Sequence, residues 1–348
     1  MFLMAISFIG VFIASLAFTP IYTRLGLVDT PNNRKKHIGS IPLVGGLAMF
    51  TSTAVFAFIF VPATIELTYL LTATSLLVMV GTIDDKYDIS FKLRLAIQLV
   101  AALLLIYGNK TELLSLGNIF GLGDIALGWL SVPITIFAII GIINAYNMID
   151  GMDGLSAGLG LISMISIYAL TGSDISEGAA NILRLIIGAL TAYLILNLHV
   201  FPNITSKIFM GDAGSMLLGF IICAFLIRYS QGTKEVIPPI MALWLVAIPL
   251  MDIILTTARR VRHGKSPFHP DRTHIHHIFQ RARLSKWSTL TVILSLQALA
   301  SIIGSLLYKN GVSEVVSLIS FFVFFYGYSR IIKNAFKISK WIRSFKHN

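Results

Sequence analysis

The chain has 348 residues, of which 56% are hydrophobic and 12% are charged, and its formal net charge is +11. A mean hydropathy of +0.82 exceeds what a water-soluble protein of this length can bury, which excludes a soluble globular enzyme. The single cysteine, Cys223, excludes a disulfide framework and a thiolate metal site. The composition therefore predicts an integral membrane protein.

Apolar stretches recur along the whole chain, most of them close to the roughly 20 residues that a membrane-spanning helix needs. We expect one all-α transmembrane domain over residues 1–332, with about eleven helices, and a basic tail over 333–348. No basic residue precedes the first stretch, so it is expected to remain as a helix rather than to be cleaved as a signal. The predicted helices cover residues 2–22, 43–62, 67–83, 95–108, 129–147, 155–171, 181–198, 213–230, 237–258, 288–308 and 314–332.

Basic residues collect on one side of this predicted topology. Eleven helices place the termini on opposite sides, and 22 of the 27 Lys and Arg residues then share the side of the C-terminus. The positive-inside rule makes that side cytoplasmic and places the N-terminus outside. All five Glu residues fall outside, whereas nine of the eleven Asp residues lie at or near the cytoplasmic side, which indicates that these Asp residues serve chemistry. The cytoplasmic segments expected to form the active site are 24–42, 84–94, 147–154, 199–212 and 259–287.

The net charge of +11 does not predict nucleic-acid binding, because the basic residues are juxtamembrane and no nucleic-acid-binding motif accompanies them. Membrane lipids with anionic headgroups and anionic substrates are the expected partners. In the tail, cations recur every three to four residues beside Phe336, Trp341 and Phe345. That spacing predicts an amphipathic helix on the inner membrane surface.

The first acidic motif, Asp84 and Asp85 with Asp88, follows the third apolar stretch. A carboxylate within a membrane helix costs roughly 2.5 to 3.5 kcal/mol on insertion scales, so such a residue usually has a cation or another partner. Two adjacent carboxylates suit a hard cation such as Mg²⁺, and metal-bound diphosphate is the natural ligand. A solvated turn with ordinary charges is the alternative interpretation.

The second motif repeats a polar residue every three positions, at Asn144, Asn147, Asp150 and Asp153. Neighbours at this spacing share one surface of a helix. Two glycines follow the Asp residues and allow a ligand to approach the backbone, or simply end the helix. Helix capping alone does not require two Asn and two Asp, so the motif favours substrate binding.

The third motif places Phe209, Gly211 and Asp212 just before the eighth apolar stretch. A helix start offers free backbone N–H groups to a phosphate. Two alternatives stay open, since Asp212 is also a suitable N-cap and Phe209 is either an interfacial aromatic or a platform for a nucleobase.

The fourth motif lies in the longest cytoplasmic segment, where His274, His276 and His277 fall within four residues. Three imidazoles are consistent with a transition-metal site. However, no cysteine accompanies them, and nearby arginines including Arg260 and Arg272 favour binding of a phosphate. The sequence therefore favours nucleotide-sugar binding over zinc.

Two further polar residues have two interpretations each. Asp252 lies two turns before Arg259 within an apolar stretch, so a structural ion pair and a catalytic role are both open. His37 follows three basic residues and either faces a phosphate or belongs to the basic flank of the second helix.

Taken in order, these segments resemble the polyprenyl-phosphate N-acetylhexosamine-1-phosphate transferases, and most closely their bacterial WecA type. The resemblance rests on HIGSIPLVGG, DDKYDIS, NAYNMIDGMDGL, FMGDAGS and RVRHGKSPFHPDRTHIHH, and it spans nearly the whole chain. The peptidoglycan translocases of the same superfamily have an unbroken His triplet where this chain has His276, His277 and Ile278. That difference argues against a peptidoglycan substrate.

The resemblance implies transfer of GlcNAc-1-phosphate from UDP-GlcNAc to undecaprenyl phosphate, with Mg²⁺ or Mn²⁺, giving undecaprenyl-diphosphate-GlcNAc and UMP. It places the protein in the bacterial cytoplasmic (inner) membrane as a homodimer, with a cytoplasmic active site that begins O-antigen or related surface-glycan assembly. Direct displacement and a phospho-enzyme route both fit these residues.

The resemblance also assigns residues by their positions in the family's motifs. Asp84, Asp85, Asp150 and Asp153 are the expected catalytic residues, with Asp84 as the base. Asp85 and Asp212 are the expected metal ligands. The expected substrate-binding residues are His37, Asn144, Asn147, Phe209, Gly211, Arg260, Arg272, His274, His276 and His277.

Three alternatives remain beside this interpretation. A related transferase would use a different UDP-N-acetylhexosamine. A multi-pass transporter with an Asp/His ion relay should place charges near the bilayer midplane and show two related halves, whereas here the charges lie at one interface and no repeat is found. A membrane prenyltransferase would need a second motif comparable to Asp84-Asp85-x-x-Asp88.

Overall fold

The computed structural model describes residues 1–30, 39–264, 266 and 274–337, and these are mostly helical. The chain is an all-α membrane protein with several spans. The α-helices among the described residues are α1 (Phe2–Arg24), α2 (Gly45–Phe60), α3 (Ile65–Tyr87), α4 (Phe91–Leu103), α5 (Ser131–Ile149), α6 (Leu155–Thr171), α7 (Glu177–Asn197), α8 (Gly211–Tyr229), α9 (Met241–Leu245), α10 (Ala247–Arg262), α11 (Ile275–Arg281), α12 (Lys286–Lys309) and α13 (Glu314–Lys333).

Eight helical segments of the described residues are long and apolar enough to cross a membrane. They are α1, α3, α4 with a following π turn, α5 with a preceding 3-10 turn, α7, α8, α12 and α13. Two more helices, α2 and α6, are apolar but have only 16 and 17 residues. The count of eleven spans and the orientation of the termini stay predictions.

One predicted helix, 237–258, is broken into α9 and α10. The break precedes Pro249, which has no N–H to donate to the carbonyl of Leu245. Side chains of neighbouring helices donate the missing hydrogen bonds instead. Leu245 O accepts from Ser163 Oγ at 2.7 Å and from Gln297 Nε2 at 3.1 Å. Polar backbone inside a membrane protein is tolerated where the protein itself satisfies it. The sequence prediction of one continuous helix was wrong for this reason.

Two short strands, β1 (Val28–Asp29) and β2 (Ile41–Pro42), pair antiparallel ahead of α2. The segment then joins the residues that precede α8. Phe209 N donates to Pro42 O at 2.9 Å, and Gly45 N donates to Phe209 O at 2.9 Å. These backbone bonds hold the start of α2 against the start of α8.

Helix α8 lies at the centre of the bundle, and the side chains from Ala213 to Ile227 are buried. Its first turn is approached closely by glycines of two neighbouring helices. A Cβ on Gly46 would overlap the backbone of Gly214, and a Cβ on Gly81 would overlap the backbone of Ala213. Because Gly81 lies one turn before the paired Asp residues, this close approach brings the end of α3 beside the start of α8.

We expect Gly81→Ala to lower the thermal unfolding midpoint of the detergent-solubilised protein. The added methyl would have to displace backbone, and overpacking of this kind costs about 1 to 3 kcal/mol. The matched control is Gly141→Ala in α5, since a Cβ on Gly141 has no atom within 4 Å. Equal midpoints for the two variants would contradict the close approach of α3 and α8.

Candidate active site

The corner between α3 and α4 holds a buried carboxylate and a guanidinium together. Asp84, which is 4% exposed, accepts hydrogen bonds from Arg94 Nη1 at 2.7 Å and from the Ile89 N–H at 2.9 Å. Arg94 Nη1 also lies 3.8 Å from Asp212 Oδ2. Asp88 ends α3 in the left-handed conformation and turns the chain so that Arg94 returns over Asp84. Arg94 therefore offsets the charge of acids from two helices.

Asp85 caps the N-terminus of α8 from the neighbouring helix. Its Oδ1 accepts from the backbone N–H of Asp212 at 2.8 Å. Its Oδ2 is buried and has no hydrogen-bond partner among the residues that the structure describes. Gly211 has φ +68°, and a Cβ there would overlap Asp85 Oδ2. A negative charge is favourable at this helix end because the peptide dipoles point their positive ends toward it.

The alternative interpretation of Asp212 as an N-cap was wrong. Met210 occupies the N-cap position of α8, and Asp212 is the second residue of the helix. Its Oδ1 accepts from Asn147 Nδ2 at 2.6 Å, and the same amide nitrogen donates to Ser215 Oγ at 3.0 Å. The carboxylate of Asp212 is thereby held between α5, α8 and the Arg94 side chain.

Asp150 follows the last residue of α5 and lies beside two other acids. Burial raises the pKa of Asp150 to about 7, and the charges of Asp212 and Asp153 act in the same direction. Asp153 pairs with Lys207 at 2.7 Å, and the Lys207 ammonium lies 5.2 Å from the ring centroid of Phe209. The end of α5 thus presents a carboxyl group that exchanges its proton near neutral pH.

The histidine segment, residues 274–277, packs on the loop between α5 and α6. His276 is 1% exposed, and neither ring nitrogen has a hydrogen-bond partner within the described part of the chain. Its ring occupies the place that a Cβ of Gly151 would take. The His274 and His276 rings are parallel with centroids 6.2 Å apart, and the His277 centroid is 4.1 Å from that of His276. Burial lowers the pKa of His276 well below its ordinary value, and the two neighbouring imidazoles add to this effect. At neutral pH this imidazole is uncharged, with one donor and one acceptor nitrogen.

The remaining predicted site residues lie deeper in α5, beside His274, or outside the described residues. Asn144 donates to Gln98 Oε1 at 2.9 Å and to Ile140 O at 2.8 Å, deeper in α5. Arg260 is buried on α10 with Nη2 at 3.4 Å from His274 Nε2. His37 and Arg272 lie outside the described residues.

Sequence reasoning did not single out Arg94, Lys207 or Ser215. Arg94 and Lys207 were counted only as basic residues that flank helices. A usable signal was their spacing, since Arg94 follows Asp84 by ten residues across a turn and Lys207 precedes Phe209 by two. No comparable pattern in the sequence points to Ser215. It lies one turn beyond Gly211, and only the structure shows that it accepts a hydrogen bond from Asn147.

The donor atoms at the start of α8 are those that Mg²⁺ prefers. Among the described residues, no three His, Cys, Asp or Glu side chains form a group that would hold a metal ion by themselves. Mg²⁺ commonly binds through one or two carboxylates and completes its shell with water and substrate phosphates. The buried, unpartnered Oδ2 of Asp85 beside Asp212 fits that kind of site.

We expect Asp150→Asn to stabilise the protein above neutral pH. The folded protein keeps a proton on Asp150 up to about pH 7, whereas the unfolded chain releases it near pH 4. The contribution of Asp150 to the folding stability of the wild-type protein therefore falls as the pH rises from about 4 to about 7. The thermal unfolding midpoint of the variant should exceed that of wild type at pH 8, with a difference that shrinks toward pH 4.

Asp153→Asn is the control for this experiment, because it removes a carboxylate that pairs with Lys207. It should show no gain at pH 8. Wild-type and Asp150→Asn curves that run parallel from pH 4 to pH 8 would contradict the raised pKa of Asp150.

Comparison with known proteins places the chain in a family. The profile of glycosyl transferase family 4 matches residues 67–230. An undecaprenyl-phosphate alpha-N-acetylglucosaminyl 1-phosphate transferase of Escherichia coli (strain K12) is 40% identical over 325 residues, which cover 93% of this chain and 88% of that protein. Proteins of the same name from Yersinia pestis and Haemophilus influenzae are 38% and 39% identical over 99% and 98% of this chain, and over 95% and 96% of their own lengths. The chain therefore belongs to the polyprenyl-phosphate N-acetylhexosamine-1-phosphate transferases, within glycosyl transferase family 4.

Proposed function

We propose that the protein transfers GlcNAc-1-phosphate from UDP-GlcNAc to undecaprenyl phosphate and releases UMP. The names of its relatives support the acceptor lipid and the transferred group. In this chain the proposal rests on one observation, which is that Asp85 contacts Asp212 at the start of α8. The buried Oδ2 of Asp85 has no hydrogen-bond partner among the described residues. The product, undecaprenyl-diphosphate-GlcNAc, would begin the assembly of O-antigen or a related surface glycan.

The reaction joins two anions, so positioning and electrostatic stabilisation should supply most of the catalysis. A phosphate oxygen of the acceptor attacks the phosphorus that carries the sugar, and UMP leaves. Asp85 and Asp212 would hold Mg²⁺, which offsets charge on the diphosphate when bound. Arg94, held by Asp84, adds a fixed positive charge 3.8 Å from Asp212. The assignment of Asp84 as base stays a prediction, since both of its oxygens accept hydrogen bonds here.

The loop after α5 and the histidine segment would bind the nucleotide sugar. Phe209 offers a ring face for uracil, and Lys207 beside it offers a cation. The uncharged His276 contributes a donor and an acceptor that no group of the described residues satisfies. A phosphate or sugar hydroxyl at this point would supply the missing partners.

A transferase that uses a different UDP-N-acetylhexosamine is the nearest alternative, and parallel assays with UDP-GlcNAc and UDP-GalNAc distinguish the two. The transporter alternative has less support, because Asp84, Asp85, Asp150 and Asp212 gather at one end of the bundle. A homodimer stays a prediction.

We expect Asp85→Asn and Asp212→Asn each to lower UMP release by about 100-fold or more, the scale on which single electrostatic groups act in transfer reactions. Both variants should keep the thermal midpoint of wild type within a few degrees. Removal of divalent cations with EDTA should abolish UMP release, and added Mg²⁺ should restore it in wild type alone.

Asp88→Asn is the matched control, since Asp88 is exposed and Asn tolerates its left-handed backbone. It should retain turnover within about threefold. Near-normal UMP release by Asp85→Asn would contradict the proposed metal site, and strong loss in Asp88→Asn alone would favour a prenyltransferase-type motif.

We also propose that the acidic end of the bundle faces the cytoplasm. The single native cysteine, Cys223, is buried in α8 and gives little background to thiol reagents. In right-side-out vesicles, a membrane-impermeant maleimide should label Ser173→Cys in the turn between α6 and α7. Lys92→Cys at the start of α4 should be labelled only after permeabilisation. The reverse pattern would invert the predicted orientation.

A further inference from the structure

Asp252 is a buried carboxylate that the proposed reaction does not yet use. It lies within α10, is 1% exposed and engages partners through both oxygens. Oδ2 lies 2.7 Å from His274 Nδ1, while Oδ1 accepts from the Ile275 N–H at 2.9 Å and from the Tyr328 hydroxyl at 3.3 Å. One side chain therefore joins α10, α13 and the start of the histidine segment. The sequence left a structural ion pair open for Asp252, and in the structure the partner of its Oδ2 is the imidazole of His274.

These contacts select one tautomer of His274. A carboxylate accepts hydrogen bonds and donates none, so Nδ1 carries the proton that faces Asp252. Nε2 on the opposite side lies 3.4 Å from Arg260 Nη2, which is a donor. Nε2 therefore acts as the acceptor for the guanidinium. Hydrogen bonds thus link Asp252, His274 and Arg260 in a chain. Asp252 fixes the tautomer of His274, and His274 in turn fixes the orientation of the Arg260 guanidinium.

All three members of this chain are buried, with exposed fractions of 1%, 5% and 3% for Asp252, His274 and Arg260. Buried ion pairs contribute little net stability, because desolvation cancels much of the attraction. The main effect of such a hydrogen-bonded chain is to fix the orientation of its side chains. A guanidinium binds phosphate through a planar fork, so its direction decides whether two hydrogen bonds form.

The same carboxylate also fixes the backbone of the histidine segment. Its bond to the Ile275 N–H holds the residue before His276, whose ring lies against Gly151 in the loop that carries Asp150. A shift of Ile275 would move the His276 ring relative to that loop. Arg260 and His276 thus depend on Asp252 from two directions.

We propose that Asp252 is a positioning residue for donor-substrate binding, which acts through His274 on Arg260 and through Ile275 on His276. This inference rests on the proposed function, because it assigns Arg260 and His276 to the sugar-diphosphate of the nucleotide donor.

The central experiment is steady-state UMP release by Asp252→Asn. The amide has nearly the shape of the carboxylate and can still accept from Ile275, but its NH₂ would face His274 Nδ1 and select the opposite tautomer. A donor N–H of His274 would then face the donor Arg260. We expect kcat/KM for UDP-GlcNAc to fall at least tenfold, with KM for undecaprenyl phosphate unchanged within twofold.

A double-mutant cycle separates this role from a merely structural one. If Asp252 acts through His274, Asp252→Asn combined with His274→Gln should be no slower than the slower single variant, whereas independent effects would multiply. Tyr328→Phe is the control, since it removes only the 3.3 Å bond to the same carboxylate. It should keep kcat/KM within twofold of wild type.

The outcomes are distinguishable from failure of the proposed function. Absence of UMP release by the wild-type protein would reject the proposed function itself. With an active wild type, an Asp252→Asn variant within threefold of it, or multiplying effects in the cycle, would overturn this inference alone. If Asp252→Asn does not fold, the single variant His274→Gln tests the inference instead. A near-normal kcat/KM for UDP-GlcNAc in that variant would also overturn the inference.

Discussion

The hydrogen bond from the backbone N–H of Asp212 to the carboxylate of Asp85 is the contact on which the rest of the site depends. It requires α3 and α8 to approach until backbone touches backbone, which is possible only because Gly81 and Gly211 have no side chains. In return, the helix end supplies the N–H group and dipole that offset part of the cost of burying the carboxyl group of Asp85. Packing and catalysis therefore share one constraint, since the glycines that close the bundle also bring the acids together.

Several acids at one end of a membrane bundle repel one another, and the structure shows how that repulsion is limited. Arg94 lies between Asp84 and Asp212, and Lys207 pairs with Asp153. No cation among the described residues pairs with Asp150, which instead holds its proton up to about pH 7. Each acid is thus paired, capped or protonated, which explains how an apolar protein keeps them together at one end of the bundle. The arrangement also leaves fixed positive groups where an anionic diphosphate would otherwise be repelled.

Short-range patterns allowed much of this to be predicted, whereas long-range partners did not follow from the sequence. Asp84, Asp85 and Asp212 were recognised because acids in apolar surroundings are costly, and the structure brings them together. The break before Pro249 was missed, because whether a proline breaks or merely bends a helix depends on partners such as Gln297, which lies 48 residues away. The partner of Asp252 was equally hidden, since His274 is separated from it by 22 residues and a long loop. Spacing indicates which residues share a helix face, but it does not indicate which helices meet.

Unsatisfied polar atoms distinguish the candidate active site from the purely structural polar clusters. At the opposite end of the bundle, Arg228 bonds to Glu66 and to Asn109 Oδ1, and Lys234 pairs with Glu66 at 3.0 Å. That cluster has its charges paired, as expected of groups that only stabilise a fold. Among the described residues, seven buried side-chain atoms have no hydrogen-bond partner, and Glu314 Oε2 is the one at this opposite end. The other six belong to Asp85, Thr256, Arg259, Thr289 and, with both ring nitrogens, His276. A buried donor or acceptor without a partner costs about 1 to 3 kcal/mol. The three such atoms of Asp85 and His276 belong to predicted site residues, and a bound ligand would complete their hydrogen bonds.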